Sequence, residues 1–459
     1  MLVTAMPATP NPNATPAAAT TRRAFCSGGA AALLLAQSDL LCAQAQVKVQ
    51  ASPPATPTRP DVAAVDHDRI LAAAQKCLAQ PPTPLTSLQC ARSPGTIHDY
   101  YSEAEPSPDA AAPTPAGSSA KAPPAPFTAH RDALFSLGLA VPALAAAYLL
   151  TGEDRYAAHA AAHLRAWFVD PATRMAPSLD YGHVLAPQPL NGERITIQTN
   201  SSFGAAPSPP AAGSFEGILE TLPLVEIAQA IPFLAPLPAL TEADRNALNA
   251  WFAAYLRWLT APQDSGPRLA ALARDQKDHH GTSWLLQASA YTTLSTPEGT
   301  APKSESAAMD ELRHCFRTVT LRAQISAAGT FPHELGSATP YRNSLFNLDM
   351  LAGICQLLST RFESVWDYQL DDGPGMRSAI AYHFPFIADR KLWPFRADSE
   401  HFDELPGRRA SLLFTARAYQ RPEYAALWKT LPPDPPTPGV LRTLPIHQPV
   451  LWVRQSPRL

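Results

Sequence analysis

The stretch HRDALFSLGLAVPALAAAYLL, residues 130–150, decides the fold class. An alanine and leucine stripe runs through it at helical spacing, and it stops at Thr151-Gly152. A second helical run, 153–168, follows at once and ends before Asp170-Pro171. It carries Tyr156, Ala160, His163 and Trp167 on one face. Working outward, the same pattern predicts helices at 66–79, 217–230, 241–259, 283–294, 304–327, 344–360, 375–387 and 409–418, with a short last one around Leu427. Thr241-Glu242-Ala243-Asp244 opens the 241–259 run as an N-cap with early acids. Period-2 alternation is scarce, and its best examples are 194–199 and 450–453. Short loops between helices predict antiparallel hairpins. Many hairpins in one domain of this size predict a mainly α fold, an α/α toroid or helical barrel with a short irregular C-terminal tail. A plain bundle or solenoid is the simpler alternative, although no fixed repeat length is visible.

The chain has 459 residues, 46% of them hydrophobic, which suffices for a sizeable core. Charged residues are 16% and the net charge is -3. No global basic field is present to recruit nucleic acid, so none is expected as a partner, and an anionic substrate needs a local cationic cluster. The first 45 residues read as an export signal: Arg22-Arg23 follows a polar leader, an apolar stretch comes next, and Ala43-Gln44-Ala45 fits a cleavage site. The expected organisation is a twin-arginine-like signal at 1–45, a proline-rich linker at 46–65, the helical domain at 66–435 and a tail at 436–459. The mature protein would be periplasmic or secreted, with no membrane insertion after signal removal. In an oxidising compartment Cys77 and Cys90 can close a short disulfide loop. Cys315 and Cys355 lie in apolar helical runs and read as buried free thiols. No cysteine has metal-ligand spacing.

Two segments about fifty residues apart carry the chemistry. The first is DHHGTSW, 278–284. Its histidines stand at or just before a helix N-terminus, where the partial positive charge favours an anion and lowers the pKa of an imidazole. A neutral histidine there can act as a base. Capping by Asp278 or Ser283 is the purely structural alternative. Neighbouring histidines face different ways on a helix, which is not metal spacing. The second segment is FPHELGSATPYRNSLFNLD, 331–349. It places Glu334 between Pro332 and Gly336, and puts Tyr341, Arg342 and Asn343 just before a helix. Tyr341 can donate or accept a proton, and Arg342 can hold a carboxylate in bidentate fashion. A capped loop with a half-buried Tyr341 is the alternative. A third patch, His98-Asp99-Tyr100-Tyr101, has the aromatic and polar mix of a sugar-binding cleft, or of a loop that packs on a domain. Arg408 and Arg409 supply positive charge or cover a helix start.

Several stretches together resemble the alginate lyase family. They are His98-Asp99-Tyr100-Tyr101-Ser102-Glu103, Phe127-Thr128-Ala129-His130-Arg131, Gly217-Ile218-Leu219-Glu220-Thr221, His280-Gly281-Thr282, Ser344-Leu345-Phe346-Asn347-Leu348 and Arg421-Pro422-Glu423-Tyr424. The resemblance implies an α/α toroid with a deep cleft and β-elimination at a uronate, without metal or organic cofactor. It aligns His280 with the family histidine and His279 with a usual asparagine. Ser337 falls where an arginine is expected, Asn343 where a tyrosine is expected, and Arg408 on a further family arginine. The expected catalytic residues are therefore His280 as base, His279 as neutraliser of the carboxylate and Tyr341 as proton donor. Arg342, Asn343, Asp278, Glu334, Arg408 and Tyr100 are the expected substrate-binding residues, and the partner is an acidic polysaccharide or oligosaccharide. Two rivals stand beside this reading. One is a non-catalytic glycan-binding protein on the same scaffold. The other is a helical-barrel glycoside hydrolase with Glu334 and Asp349 as its carboxylate pair.

Overall fold

The apolar runs of the sequence become helices in the computed structural model, which describes residues 61–105, 124–185, 188–190, 193–195, 212–262, 268–295, 307–360, 362–435 and 437–453. Contacts divide the chain into Met1–Thr58 and Arg59–Leu459, and every described residue belongs to the second unit. The expected signal at 1–45 and residues 46–60 of the expected 46–65 linker lie outside the described residues, while residues 62–65 of that linker belong to the first helix, Val62–Leu78.

The helices are α1 (Val62–Leu78), α2 (Ala129–Thr151), α3 (Asp154–Leu164), α4 (Leu224–Leu234), α5 (Glu242–Thr260), α6 (Arg268–Arg274), α7 (His279–Ser295), α8 (Ala307–Cys315), α9 (Leu321–Gln324), α10 (Pro332–Leu335), α11 (Pro340–Leu358), α12 (Met376–Ala388), α13 (Ala410–Ala418), α14 (Pro422–Thr430), α15 (Pro438–Leu441) and α16 (Val450–Val453). Two small sheets accompany them. β1 (Tyr101–Glu103) pairs in parallel with β2 (Tyr181–Val184), and β3 (Gln188–Leu190) pairs antiparallel with β4 (Glu193–Ile195).

Local chemistry sets the ends. Gly152 adopts φ +71° and its N–H bonds Tyr148 O, which terminates α2. Thr241 caps α5 with a reciprocal bond pair to Asp244. α7 is the centre of the fold. It is buried around most of its circumference, from Gly281 to Leu294, and packs against α4, α5 and α11. α2 packs against α1, α3 and α4, and α13 joins α11 to α14. By length and composition alone α2 is apolar enough to cross a bilayer, but 61% of its apolar window is buried inside the protein. It is a core helix.

Four expectations need correction. Residues 450–453 form a helical turn, not a strand. Pro449 O accepts from the N–H groups of Trp452 and Val453, and a run that is apolar on every side carries no period to read. The stretch 437–453 is not an irregular tail. It carries α15 and α16, and α16 packs on α1, α2 and α4. Cys77 and Cys90 are both free, because Cys77 points into the core from α1. Helices α7 and α11 begin several residues earlier than their apolar runs, so the histidines and Tyr341 are helical residues.

Beneath α11 an ion pair is wholly buried. Asp349 Oδ2 meets Arg409 Nη1 at 3.2 Å, with the two side chains 1% and 0% exposed. Asp349 also accepts from Ser411 N at 2.9 Å. Removing one partner strands a buried charge. Asp349→Ala is therefore expected to lower unfolding stability by about 3–5 kcal/mol in a urea titration, whereas replacing both partners with apolar residues costs clearly less.

Candidate functional site

A cavity of about 770 Å³ opens beside the N-terminal ends of α7 and α11. That is within the range of small-molecule sites, about 300–1,000 Å³, and larger than one sugar ring needs. His279, His280, Arg342, Asn343 and Phe346 line it on one side. His183, Glu216 and Glu220 line it from β2 and the turn before α4, and Arg131, Phe135 and Arg442 line it from α2 and the residue that ends α15.

The histidine pair is organised by two carboxylates. Glu334, 1% exposed, accepts from His279 N at 2.7 Å and from His279 Nδ1 at 2.8 Å. The first bond satisfies a helix-start N–H that has no partner within α7. Asn347 Nδ2 adds a third bond to Glu334 at 3.1 Å. Burial alone would push the His279 pKa down, but the hydrogen bond and charge of Glu334, helped by Asp278, hold it above its ordinary value. His280 is arranged differently. Its N–H and its Nδ1 both meet Asp278 Oδ1, at 3.0 and 2.9 Å. Opposing burial, His280 and His279 keep the Asp278 carboxyl at about 2. With Nδ1 donating to Asp278, the Nε2 of His280 carries the lone pair. The two rings lie 4.3 Å apart, with Phe215 against His280 and Phe346 against His279.

Asp278, His279 and His280 offer ligand atoms within 4.8 Å of one another, which makes them the metal-capable group among the described residues. Both Nδ1 atoms, however, already meet carboxylates, so the set reads as two histidine–carboxylate pairs.

The second segment divides along the helix. Arg342 and Asn343 line the cavity. Tyr341 does not: it is wholly buried, its hydroxyl donates to Phe386 O at 2.8 Å, and its ring packs on Trp393 and Phe402. Burial also pushes its phenol above the ordinary range. It is therefore corrected from proton donor to core residue. The N–H groups of Tyr341 and Arg342 are taken by the Asp398 carboxylate at 2.8 and 2.9 Å, which caps α11 from a distance. Arg342 Nη2 donates to Thr339 Oγ1 at 3.1 Å. Among the described residues it is the cavity cation without a carboxylate partner. Ser337 and Asn343 hydrogen-bond one another at 3.2 Å, and Ser337 donates to Glu334 O, so they brace the loop around Glu334.

Three further expectations are corrected. Tyr100 is 1% exposed and donates to Glu220 at 2.9 Å, so it supports the cavity wall and offers no stacking face. Arg408 pairs with Asp66 and lies over the Trp428 ring at 4.7 Å; it is not among the residues lining this cavity and borders a separate, smaller pocket. Asp349 is locked to Arg409 in the core, so it cannot form a hydrolase pair with Glu334.

Sequence reading missed His183. It adopts φ +56° and spans Glu216 Oε2 at 2.8 Å and Glu220 Oε1 at 3.0 Å. Burial opposes its charge, but the bonds to Glu216 and Glu220 raise its pKa to about 9. Nothing around it in sequence marks it. Glu220 and Asn347 were within reach, since both sit in stretches quoted above.

A profile described as "Alginate lyase" matches residues 87–393. A solved alginate lyase from Bacteroides ovatus superposes with a TM-score of 0.64 at 22% identity, covering 85% of this chain and 94% of that one. Alginate lyase A1-III from Sphingomonas species A1 aligns with a TM-score of 0.46 at 14% identity, over 82% and 91% of the two chains. Comparison with curated proteins finds no match.

The His183 pairing has a pH consequence. A folded pKa of about 9 against an ordinary 6.5 means its contribution to stability is complete below about 6.5 and is lost as pH rises through about 9. Thermal unfolding should therefore shift downward across that window, and His183→Gln should flatten the dependence. An unchanged slope in the variant would contradict the assignment.

Proposed function

The chain belongs to the alginate lyase family of polysaccharide lyases, and from that premise we propose that it cleaves a uronate-containing glycan such as alginate by β-elimination in this cavity. The observation that carries the reading is the histidine pair on the cavity wall, each ring held by its own carboxylate. His280 is the base: Asp278 fixes its Nδ1, and its Nε2 takes the proton beside the uronate carboxylate. His279, charged through Glu334, and Arg342, with no carboxylate of its own among the described residues, neutralise that carboxylate as it gains enolate character. The C–H bond breaks, a C=C bond forms and the glycosidic C–O bond breaks. His280, now protonated, returns the proton to the leaving oxygen. This assigns to one imidazole the two roles that sequence alone divided between His280 and Tyr341. No step needs a metal or organic cofactor.

Asn343 and Glu334 then act as positioning residues, and Asp278 sets the His280 tautomer. We also propose that the helix pairs close as an α/α toroid around the cavity, a reading supported by the fold likeness at a TM-score of 0.64. Export to the periplasm or beyond is the corresponding proposal for residues 1–45, supported by Arg22-Arg23 and Ala43-Gln44-Ala45.

The test is the ultraviolet absorbance of unsaturated product from a panel of polyuronates. The wild-type chain should generate it on at least one. His280→Ala should lose about a hundred- to ten-thousand-fold of that rate, the worth of a general base. Flat traces on every polyuronate, or full activity in His280→Ala, would overturn the mechanism.

A further inference from the structure

We infer that Arg442 is a substrate-binding residue for the carboxylate of a second uronate, and that the wall at 439–447 sets which glycan fits. The inference rests on the lyase reading above and extends it to another wall of the same cavity.

Three observations carry it. First, the wall belongs to the cavity itself: Gly439, Arg442 and His447 line it together with the two histidines and Arg342. Second, the wall is built rather than draped. Glu226, 1% exposed, accepts from His447 N at 2.7 Å, Gln448 N at 2.9 Å and Trp452 Nε1 at 3.3 Å. The fully buried Arg409 donates to Thr443 O at 3.0 Å from the other side. A buried carboxylate and a buried guanidinium thus fix the backbone on both sides of the segment that follows Arg442.

Third, Arg442 is held with donors to spare. Its guanidinium lies over the Phe135 ring at 4.8 Å, and Nη2 meets Asp132 Oδ1 at 2.7 Å. Phe135 is steadied in turn by an edge contact with His447 at 6.0 Å. A guanidinium has five N–H donors. Asp132 is its acceptor among the described residues, and the side chain is 33% exposed. The plane is pre-oriented by the aromatic face, and the donors that remain match a carboxylate in fork geometry. Neutral sugar would gain little there, since its hydroxyls carry no charge to pair. The histidine pair with Arg342 serves the uronate that reacts, and Arg442 serves a neighbour along the chain.

The test is calorimetric binding of a tetrauronate, and of its carboxyl-reduced neutral counterpart, to the full chain carrying His280→Ala to prevent turnover. Adding Arg442→Gln should weaken tetrauronate binding about tenfold, the worth of one charge-assisted contact, and leave the neutral tetrasaccharide unchanged. Arg442→Lys keeps charge without the planar fork and should lose part of the same affinity; it stands in if the glutamine variant does not fold. Equal affinity for the tetrauronate, or an equal loss on both ligands, would overturn the inference, the second by showing that Arg442 only supports the wall. The reaction is judged separately. Tight tetrauronate binding without any product from the wild-type chain would sink elimination and leave Arg442 standing, whereas product formation with no effect of Arg442→Gln on binding would sink Arg442 alone.

Discussion

The Glu334 carboxylate is the joint on which the site depends. It is buried, so its charge must be met inside the protein. Three donors meet it: the His279 N–H, the His279 ring and the Asn347 amide. The first two belong to the start of α7 and the third to α11, while Glu334 itself sits on α10. One carboxylate thus fixes where two central helices begin relative to each other. It also selects the protonation of His279, because the group that closes the helix end is the group that stabilises the imidazolium.

The neighbouring histidines therefore differ by construction. His279 answers to an acid 55 residues away, and His280 to an acid two residues away. The long-range partner is sealed in the core, which keeps its charge strongly coupled to the ring. Asp278 is more open, its side chain 28% exposed, and it acts chiefly on orientation. Two like groups with unlike partners can divide the work of neutralising an anion and moving a proton. The remaining cavity cations follow the same rule: His183, Arg131 and Arg442 each bear a carboxylate partner.

Much of this was legible in sequence. Apolar spacing located the helices, Gly152 and Thr241 marked ends that the structure confirms, and the histidine pair lies at a helix start. Tyr341 was misread for a geometric reason. The apolar run suggested a helix from residue 344, but Pro340 begins it, and each residue along a helix turns about 100°. Tyr341 consequently points into the core while Arg342 and Asn343 reach the cavity. Tyr100 was misread because an aromatic next to polar residues looks alike whether its hydroxyl meets a sugar or, as here, Glu220. His183 and Arg442 had no local signal at all. The first depends on one residue with positive φ, and the second on a C-terminal segment folding back against α2.

Pairing most of the cavity cations with protein carboxylates has a consequence for recognition. With a net charge of -3 the chain offers no long-range attraction to a polyanion, so selectivity must arise at contact distance. A cation already held by a protein carboxylate is rigid and partly neutralised. It rewards a ligand that fits its remaining donors more than one that merely carries charge. Arg342 departs from this pattern, since among the described residues its guanidinium meets the Thr339 hydroxyl and no carboxylate. It is the place where a substrate carboxylate can complete an ion pair rather than compete for one. Its neighbours along that wall are the two histidines. The strongest unmet demand for an anion and the group suited to take a proton therefore belong to the same wall, which is what elimination next to a carboxylate requires.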